Sequence, residues 1–532
     1  MSSRPNAPRV LISDKMNKLA EDIFRNKGVE VDVKTGLKPE ELKEIIKNYQ
    51  GLAIRSSTTV TPEIIAASNG NLKVIGRAGI GVDNVDVKAA TASGVIVMNT
   101  PFGNSITTAE HAIAMMFALA RQIPEASAST HAGKWEKNKF MGVEVYGKTL
   151  GVIGCGNIGS IVADRGIGLK MNVIAFDPFL TEERAVEIGV KKVELDELFR
   201  SADFITLHVP KNDKTKNMIN KDSIATMKKG VRIINCARGG LINEADLKSA
   251  LDSGHVAGAA LDVFDVEPAT ENPLFGHPNL VCTPHLGAST NEAQVNVALQ
   301  VAEQMADFLM TGAITNALNM PSISAEEAPR LRYYMKLADQ LGSFAGQITE
   351  SAIKSVDISY EGTVSELNCK PLTQMIMSAL LKPLTDTVNM VNAGQVAESR
   401  GIKISESKSA TAKDHRSLIT LTVTTETRTR TLAGTLFTGR EPRIVNIEGV
   451  PIESGLSEHM LFVRNDDKPG LIGALGTLLG TKGHNIADFH LGRTAKGEQA
   501  VCLLSLDTAL PDAVLAEVEK LPQIKTAKRL SF

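Results

Sequence analysis

Short apolar runs alternate with amphipathic segments over the first part of the chain. Helical stretches such as Pro39–Asn48 and Pro62–Ala67 separate the runs. Strands that alternate with helices in this way predict an α/β lobe with a buried parallel sheet. The predicted strands of this lobe are Val10–Ile12, Val29–Val33, Gly51–Ile54, Val74–Gly76 and Val95–Met98.

A second alternating series follows a helix rich in Ala and Met, which is predicted from about Thr107 to Arg121. A long helix, about Asn291–Leu309, leads out of this series. The series therefore predicts a second α/β domain. Its predicted strands are Thr149–Ile153, Asn172–Phe176, Phe204–Leu207, Val231–Asn235, Gly258–Leu261 and Leu280–Thr283.

The pattern changes beyond about Asn316. Polar and β-branched residues predict paired strands at Ile419–Thr425 and Thr429–Phe437. The last segment, His459–Phe532, is predicted as strand, helix, strand, strand, helix, strand. A chain of 532 residues is too long for a single core, so we expect three or four domains.

Charge and cysteine content narrow the functional classes. The chain has 58 basic and 60 acidic residues, which argues against a dedicated binder of nucleic acid or anionic membranes. No apolar run approaches the roughly 20 residues of a membrane span, and Val10–Ile12 follows the N-terminus too closely for a secretory signal. The 5 scattered cysteines show no metal-ligand spacing and favour a reducing cytoplasm.

A glycine-rich turn directly after the strand Thr149–Ile153 is the first candidate binding site. Gly154, Gly156 and Gly159 have the spacing that lets a pyrophosphate approach the start of a helix. Asp177 follows the next strand, where a carboxylate accepts hydrogen bonds from the adenosine ribose. Pro178 and Phe179 come next instead of a basic residue, so NAD is favoured over NADP. The alternative is a glycine-rich connection without a ligand.

Three polar residues, Arg238, Glu267 and His285, follow later strands of the same series. Each alone has an ordinary structural explanation, as a surface arginine, a helix-start acid or a core histidine. Together they supply what oxidation of a hydroxyacid requires. Histidine can take the hydroxyl proton, a neighbouring carboxylate orients it and raises its pKa, and arginine can bind the substrate carboxylate bidentately.

These motifs, in this order, closely resemble the D-isomer-specific 2-hydroxyacid dehydrogenases over roughly Val10 to Asn316. The resemblance implies that His285 is the acid/base, Glu267 its partner and Arg238 the substrate anchor. It also implies a substrate domain that closes over the cofactor by a hinge. The further NAD contacts that it implies are Ile80, Asn157, Ile158, Val209, Pro210, Cys236, Ala237, Arg238, Asp262, His285, Gly287 and Ala288.

Two loops of the first lobe resemble the versions found in the phosphoglycerate dehydrogenases of this family. The resemblance implies that Ala78 and Gly79 hold the substrate carboxylate through backbone donors. Arg55, with Ser56, is then a candidate for the substrate phosphate, and Arg77 for a further substrate contact. The alternative for both arginines is a solvated or paired surface charge. Asn104 belongs to the hinge loop and is expected to help order the active site.

The end of the chain resembles an ACT regulatory domain, which implies L-serine as a feedback inhibitor. Asp467 and Asn485 are its candidate contacts. Asn465 stands where some relatives carry an aromatic residue, which leaves the strength of inhibition open. The alternative is an ACT domain retained only for assembly.

The resemblance extends to the whole domain order of the long, bacterial-type phosphoglycerate dehydrogenases. It implies a Rossmann-type doubly wound domain inserted in a flavodoxin-like lobe, then an α+β intervening domain and a ferredoxin-like ACT domain. The expected ranges are 1–98 with 289–316 for the substrate domain, 99–288 for NAD, 317–455 for the intervening domain and 456–532 for ACT.

The expected function is NAD-dependent oxidation of D-3-phosphoglycerate, which opens L-serine biosynthesis, in a homotetramer. One alternative is a relative that acts on glycerate, hydroxypyruvate or 2-hydroxyglutarate. The other is a dinucleotide-sensing corepressor that works through protein contacts.

Overall fold

The computed structural model describes residues 7–324, 326–385, 388–412 and 414–532. The first six residues of the expected substrate domain lie outside the described residues. The strands of the described ranges form 4 sheets. No helix within these ranges is both long and apolar enough to cross a lipid bilayer.

The first sheet is parallel throughout, and its order β2-β1-β3-β4-β5 is that of flavodoxin. Its strands are β1 (Arg9–Ile12), β2 (Glu30–Val33), β3 (Gly51–Ile54), β4 (Val74–Arg77) and β5 (Ile96–Met98). Its helices are α1 (Leu19–Asn26), α2 (Pro39–Ile45), α3 (Pro62–Ala67) and α4 (Val87–Ala92). The α/β lobe predicted from the alternating pattern is thus confirmed.

Two helices, α5 (Ser105–Arg121) and α6 (Ile123–His131), lead into the second sheet. Its order is β12-β11-β10-β9-β6-β7-β8, also parallel throughout. The strands are β6 (Thr149–Ile153), β7 (Asn172–Phe176), β8 (Lys191–Lys192), β9 (Phe204–Leu207), β10 (Val231–Asn235), β11 (Val256–Leu261) and β12 (Leu280–Cys282). The helices are α7 (Asn157–Gly168), α8 (Glu182–Ile188), α9 (Leu195–Ser201), α10 (Lys221–Thr226) and α11 (Glu244–Asp252).

This order is the Rossmann arrangement, which confirms the predicted fold class. The strand order reverses at β6, which lies between β7 and β9. Open α/β sheets bind their ligands in the crevice at such a reversal, outside the carboxyl ends of the strands. The glycine turn after β6 begins at this point.

The long helix α12 (Asn291–Thr311) returns from the second sheet to the first, as expected. Val301 and Met305 on α12 are fully buried and share one hydrophobic core with strands β1, β3 and β4. The chain therefore crosses between the two lobes at α5 and again before α12.

The third sheet has the order β14-β13-β15-β16-β17-β18, antiparallel except for the pair β13/β14. Its strands are β13 (Ile353–Gly362), β14 (Lys403–Ser409), β15 (Ser417–Thr425), β16 (Thr429–Phe437), β17 (Glu441–Ile447) and β18 (Val450–Ser454). Helices α13 (Ala328–Gln347), α14 (Lys370–Leu381) and α15 (Ala393–Ser399) accompany it. The predicted pairing of β15 with β16 is confirmed.

The fourth sheet is antiparallel, with the order β20-β21-β19-β22. Its elements follow the predicted order of strands and helices. They are β19 (His459–Asp466), α16 (Leu471–Thr481), β20 (Ile486–Arg493), β21 (Gln499–Leu506), α17 (Asp512–Glu519) and β22 (Ile524–Ser531). This is a ferredoxin-like unit.

Candidate active site

The glycine turn joins β6 to α7 in the geometry that a dinucleotide requires. Gly154 has φ of +88°, and its N–H donates to the carbonyl of Phe176 at 2.8 Å. A β-carbon on Gly159 would lie 1.9 Å from the carbonyl oxygen of Gly154, so only glycine fits there. A β-carbon on Gly156 would meet no atom within 4 Å. The start of α7 therefore borders open space, where backbone amides can receive a phosphate.

Asp177 lies against this turn, directly after β7. Its Oδ2 accepts the N–H of Cys155 at 2.9 Å, and its Oδ1 accepts the N–H of Phe179 at 2.8 Å. The carboxylate is thus held at the edge of the glycine turn, where an adenosine ribose would lie. Phe179 itself is exposed.

The structure brings most of the other expected cofactor contacts to the same edge of the second sheet. Asn157 and Ile158 begin α7, whereas Ile80 lies in the first lobe, where its carbonyl accepts the side-chain amide of Asn99 at 2.7 Å. The contacts that follow the carboxyl ends of β9 to β12 are Val209, Pro210, Cys236, Ala237, Arg238, Asp262, His285, Gly287 and Ala288.

His285 and Glu267 form a close pair at the mouth of this crevice. The distance from Nδ1 of His285 to Oε2 of Glu267 is 2.6 Å, and Oε1 of Glu267 accepts the N–H of Phe264 at 2.9 Å. The hydrogen bond with Glu267 raises the pKa of His285. Burial raises the pKa of Glu267, but the hydrogen bonds from His285 and Phe264 outweigh it and hold this pKa below its usual value.

The backbone of His285 has φ of +55°, which residues with a β-carbon rarely adopt. Its N–H donates to the carbonyl of Asp262 at 2.9 Å. Asp262 is fully buried, and its carboxylate accepts the amides of Leu286 at 2.7 Å and Gly287 at 2.8 Å. The expected cofactor contact Asp262 thus uses both oxygens to hold the turn that carries His285.

Sequence reasoning missed two histidines near the crevice. His111 on α5 places Nε2 3.2 Å from Oδ1 of Asp262 and 3.1 Å from the hydroxyl of Thr283. His208 follows β9, and burial lowers its pKa to about 4, so it is neutral near pH 7. The strand-end pattern could have found His208, whereas nothing in the Ala- and Met-rich helix marks His111.

Arg238 reaches across the crevice to the first lobe. Its Nε donates to Oδ2 of Asp83 at 2.9 Å, and its Nη1 donates to the carbonyl of Ala237 at 2.7 Å. Asn235 fixes the local backbone by donating to the carbonyl of Arg238 at 2.9 Å. Asp83 was not expected from the sequence, because its role depends on how the two lobes face each other.

A cavity of about 760 Å³ lies between the two lobes. Phe264, Phe275 and Val297 contribute apolar surface to its wall. The expected site residues that line it are Arg55, Ser56, Arg77, Ala78, Gly79, Asn104, Glu267, His285 and Ala288. Arg238 is not part of this lining, and its guanidinium is bonded to Asp83.

The electrostatics of the cavity favour an anion. The Nε of Arg77 is buried without a hydrogen-bond partner. The guanidinium packs directly on Gly79, where a β-carbon would lie only 1.4 Å from Nη1 of Arg77. Burial, together with the charges of Arg238 and Arg55, lowers the pKa of Arg77 to about 10. The Oδ1 of Asn104 is also buried without a partner, and as an acceptor it could bond a hydroxyl of the acid but not an anionic oxygen. The guanidinium groups of Arg55 and Arg77 therefore face a space that suits a small, multiply charged acid.

The expected effector residues of the fourth sheet, Asp467 and Asn485, bond to different partners. Asp467 accepts the guanidinium of Arg493 at 2.9 Å and the N–H of Gly497 at 3.0 Å. Asn485 donates to Asp507 at 2.8 Å. Among the described residues no hydrogen bond joins Asp467 to Asn485.

Family models match three parts of the chain. The NAD binding domain of the D-isomer specific 2-hydroxyacid dehydrogenases matches residues 113–287. The D-3-phosphoglycerate dehydrogenase intervening domain matches residues 330–448, and the ACT domain matches residues 459–523.

Curated relatives match nearly the whole chain. A D-3-phosphoglycerate dehydrogenase of Synechocystis is 44% identical over 98% of this chain and 94% of its own length. One of Bacillus subtilis is 43% identical over 98% of this chain and 99% of its own length.

Solved structures match part of the chain. A glyoxylate reductase from Paecilomyes thermophila aligns with a TM-score of 0.56 and 31% identity, covering 59% of this chain and 99% of that one. A D-2-hydroxyisocaproate dehydrogenase aligns with a TM-score of 0.53 and 26% identity, covering 58% of this chain and 99% of that one.

Proposed function

Because the chain belongs to the D-isomer-specific 2-hydroxyacid dehydrogenases, and among them to the D-3-phosphoglycerate dehydrogenases, we propose that it oxidises D-3-phosphoglycerate to 3-phosphohydroxypyruvate. NAD is its cofactor. The reaction is the first step of the phosphorylated route to L-serine. The observation that carries the proposal is the pairing of His285 with Glu267 at 2.6 Å, in the same cavity as Arg55 and Arg77.

His285 is the proposed acid/base of the reaction. Its Nδ1 is bonded to Glu267, so in the neutral ring Nδ1 carries the hydrogen and Nε2 keeps a free lone pair. That lone pair can take the proton of the C2 hydroxyl. The charged imidazolium that results is stabilised by the carboxylate of Glu267.

The substrate is proposed to lie with its phosphate toward Arg55 and Ser56 and its carboxylate toward Ala78 and Gly79. Arg77 adds positive charge between them. Arg238 is proposed to exchange its contact with Asp83 for the substrate carboxylate, since the two anions compete for one guanidinium. Asn104 is proposed to bind a hydroxyl of the substrate through its side-chain Oδ1, which is buried without a partner.

The residues around the glycine turn fit NAD. The amides at the start of α7 would hold its pyrophosphate, and Asp177 its ribose hydroxyls. NAD, when bound, accepts the hydride from C2. Arg184, a basic residue of the segment after Asp177, is bonded to Glu187 at 2.6 Å, so a 2′-phosphate would have to compete with that carboxylate for it.

An assay of substrate choice tests the proposal. The wild-type protein should reduce 3-phosphohydroxypyruvate with a kcat/KM at least about 100-fold above that for hydroxypyruvate, because the arginines would otherwise face no phosphate. NADH oxidation measures both rates. Equal or reversed preference would assign the chain to the glycerate or hydroxypyruvate enzymes instead.

Replacing Glu267 by Gln should shift the pH dependence of oxidation. Oxidation requires neutral His285, so its rate rises as pH passes upward through the pKa of that histidine. Since Glu267 raises this pKa, Glu267→Gln should move the acidic limb of the kcat/KM profile to lower pH and reduce the plateau. The opposite displacement, or an unchanged limb, would mean that another group controls the profile.

The ACT domain is a module for a small-molecule effector, and we propose L-serine, with Asp467 and Asn485 among its contacts. NADH oxidation with 3-phosphohydroxypyruvate, measured with and without L-serine, tests this proposal: L-serine should lower the rate.

An exposed arm between α5 and β6 supports the proposal of a homotetramer, because its large apolar side chains are not covered within one chain. These are Ile123, Trp135, Met141 and Tyr146.

Two further expectations remain proposals. We propose the domain ranges 1–98 with 289–316, 99–288, 317–455 and 456–532, supported by the separate sheets. We also propose a cytoplasmic location, supported by 5 free cysteines, of which 4 are buried and none is paired within the described residues.

A further inference from the structure

The loop after β3, which carries Arg55 and Ser56 to the cavity, is held by a buried carboxylate. Asp14 follows β1 and is only 4% exposed. Its Oδ2 accepts the N–H of Arg55 at 2.6 Å and the N–H of Thr58 at 3.1 Å, and its Oδ1 accepts the hydroxyl of Thr58 at 2.7 Å. All three bonds point from the loop to one side chain, so Asp14 fixes the backbone from its amide side.

A second side chain holds the same loop from its carbonyl side. The Nδ2 of Asn84 donates to the carbonyls of Arg55 and Thr58, each at 2.6 Å. A side-chain amide has two N–H hydrogens, one for each carbonyl. Arg55 and Thr58 are therefore gripped on both sides, by a carboxylate that accepts and an amide that donates.

Asn84 also belongs to the other substrate loop, which follows β4 and contains Ala78 and Gly79. Its carbonyl accepts the N–H of Val60 at 2.8 Å, which adds a backbone link between the two loops. The beginning of this second loop is also held by a backbone bond, because the carbonyl of Gly79 accepts the N–H of Thr100 at 3.0 Å. The spacing between the two loops is thus set by bonds that lie outside the cavity.

We infer that Asp14 and Asn84 are positioning residues that set the distance between a phosphate subsite at Arg55 and a carboxylate subsite at Ala78–Gly79. This inference rests on the proposed function and adds to it a determinant of chain length and of the terminal phosphate. Neither residue lines the cavity. An acid without phosphate does not occupy the subsite at Arg55, so its turnover should not depend on how Asp14 and Asn84 hold the loop that carries Arg55.

The test compares two substrates in two variants. In Asp14→Asn an N–H group replaces one acceptor and faces the loop amides, and in Asn84→Ala both donated bonds are lost. Each variant should lower the ratio of kcat/KM for 3-phosphohydroxypyruvate to that for hydroxypyruvate by about tenfold or more, given the bonds removed. The loss should appear as a higher KM for the phosphorylated acid. The kcat for hydroxypyruvate and the KM for NADH should stay as in the wild type.

Asp32→Asn is the matched control. Asp32 is a carboxylate of the same lobe that accepts bonds from Arg9 and Tyr49 at 2.8 Å, away from the cavity. It should leave the substrate ratio unchanged. Asn84→Ser, which keeps a single donor, replaces Asp14→Asn if that variant does not fold.

An unchanged ratio, whether kcat/KM stays the same for both substrates or falls equally for both, would overturn the positioning role. A wild-type protein without preference for the phosphorylated acid would instead contradict the proposed function. The two failures are therefore distinguishable.

Discussion

His285→Ala should lower kcat for oxidation of 3-phosphoglycerate by about 100-fold or more, since a general base contributes roughly 10²–10⁴ to such a rate. The expected loss follows from the geometry. Nδ1 of His285 is fixed by Glu267 at 2.6 Å, and an alanine leaves no group on that turn to receive the hydroxyl proton. Steady-state rates with saturating NAD and 3-phosphoglycerate measure the effect.

Two controls separate lost chemistry from lost structure. His490→Ala removes another histidine bonded to a carboxylate, Asp488 at 2.8 Å, but in the fourth sheet, and it should keep the wild-type kcat. The circular dichroism spectrum of His285→Ala should remain that of the wild type, which would show that the fold is kept. A rate unaffected by His285→Ala would favour the reading of the chain as a dinucleotide sensor.

The nucleotide half of the site could be predicted from the sequence because its residues follow a general rule. Ligand-binding side chains of parallel α/β sheets lie directly after the carboxyl ends of strands. Arg238, Glu267 and His285 all follow predicted strands, and the structure brings His285 and Glu267 together. The positions of six of the seven strands of the second sheet could be predicted because buried parallel strands have continuous apolar runs. Strand β8, Lys191–Lys192, was missed because it has no apolar residue.

Contacts between separate segments could not be predicted in the same way. Asp83 meets Arg238 only because the two lobes face each other, and Asp14 meets the loop of Arg55 only because β1 lies beside β3. Neither acid belongs to a motif whose chemistry requires it. The sequence shows which residues are present, but the distances between Asp83 and Arg238 and between Asp14 and Arg55 depend on how whole sheets pack.

The third sheet illustrates a local limit of the same kind. Strand β14 has the sequence Lys-Ile-Ser-Glu-Ser-Lys-Ser and is largely exposed. It lies at the edge of the sheet and is a strand because it pairs with β13 over seven residues, from Lys403 to Ser409. Its own composition favours a loop as much as a strand.

Arg238→Lys should lower kcat/KM for 3-phosphoglycerate by about 100-fold, or roughly 3 kcal/mol, although the positive charge is kept. Arginine can offer two parallel N–H donors to a carboxylate, whereas the lysine ammonium is a point charge on a differently shaped stem. Nη1 of Arg238 is already oriented by the carbonyl of Ala237 at 2.7 Å, and a lysine has no atom that can keep this bond while it reaches the substrate. Steady-state kinetics in both directions, with NAD affinity measured separately, would record the loss.

Arg184→Lys is the matched control for this substitution. Arg184 is an exposed arginine of the same lobe, bonded to Glu187 at 2.6 Å, and its replacement should leave kcat/KM unchanged. Full activity of Arg238→Lys would show that the site needs only net charge at this position. A selective loss in Arg238→Lys would instead mean that the planar guanidinium is required. In that case substrate binding depends on the shape of the Arg238 side chain as well as on its charge. The substrate carboxylate must then compete with Asp83 for this guanidinium.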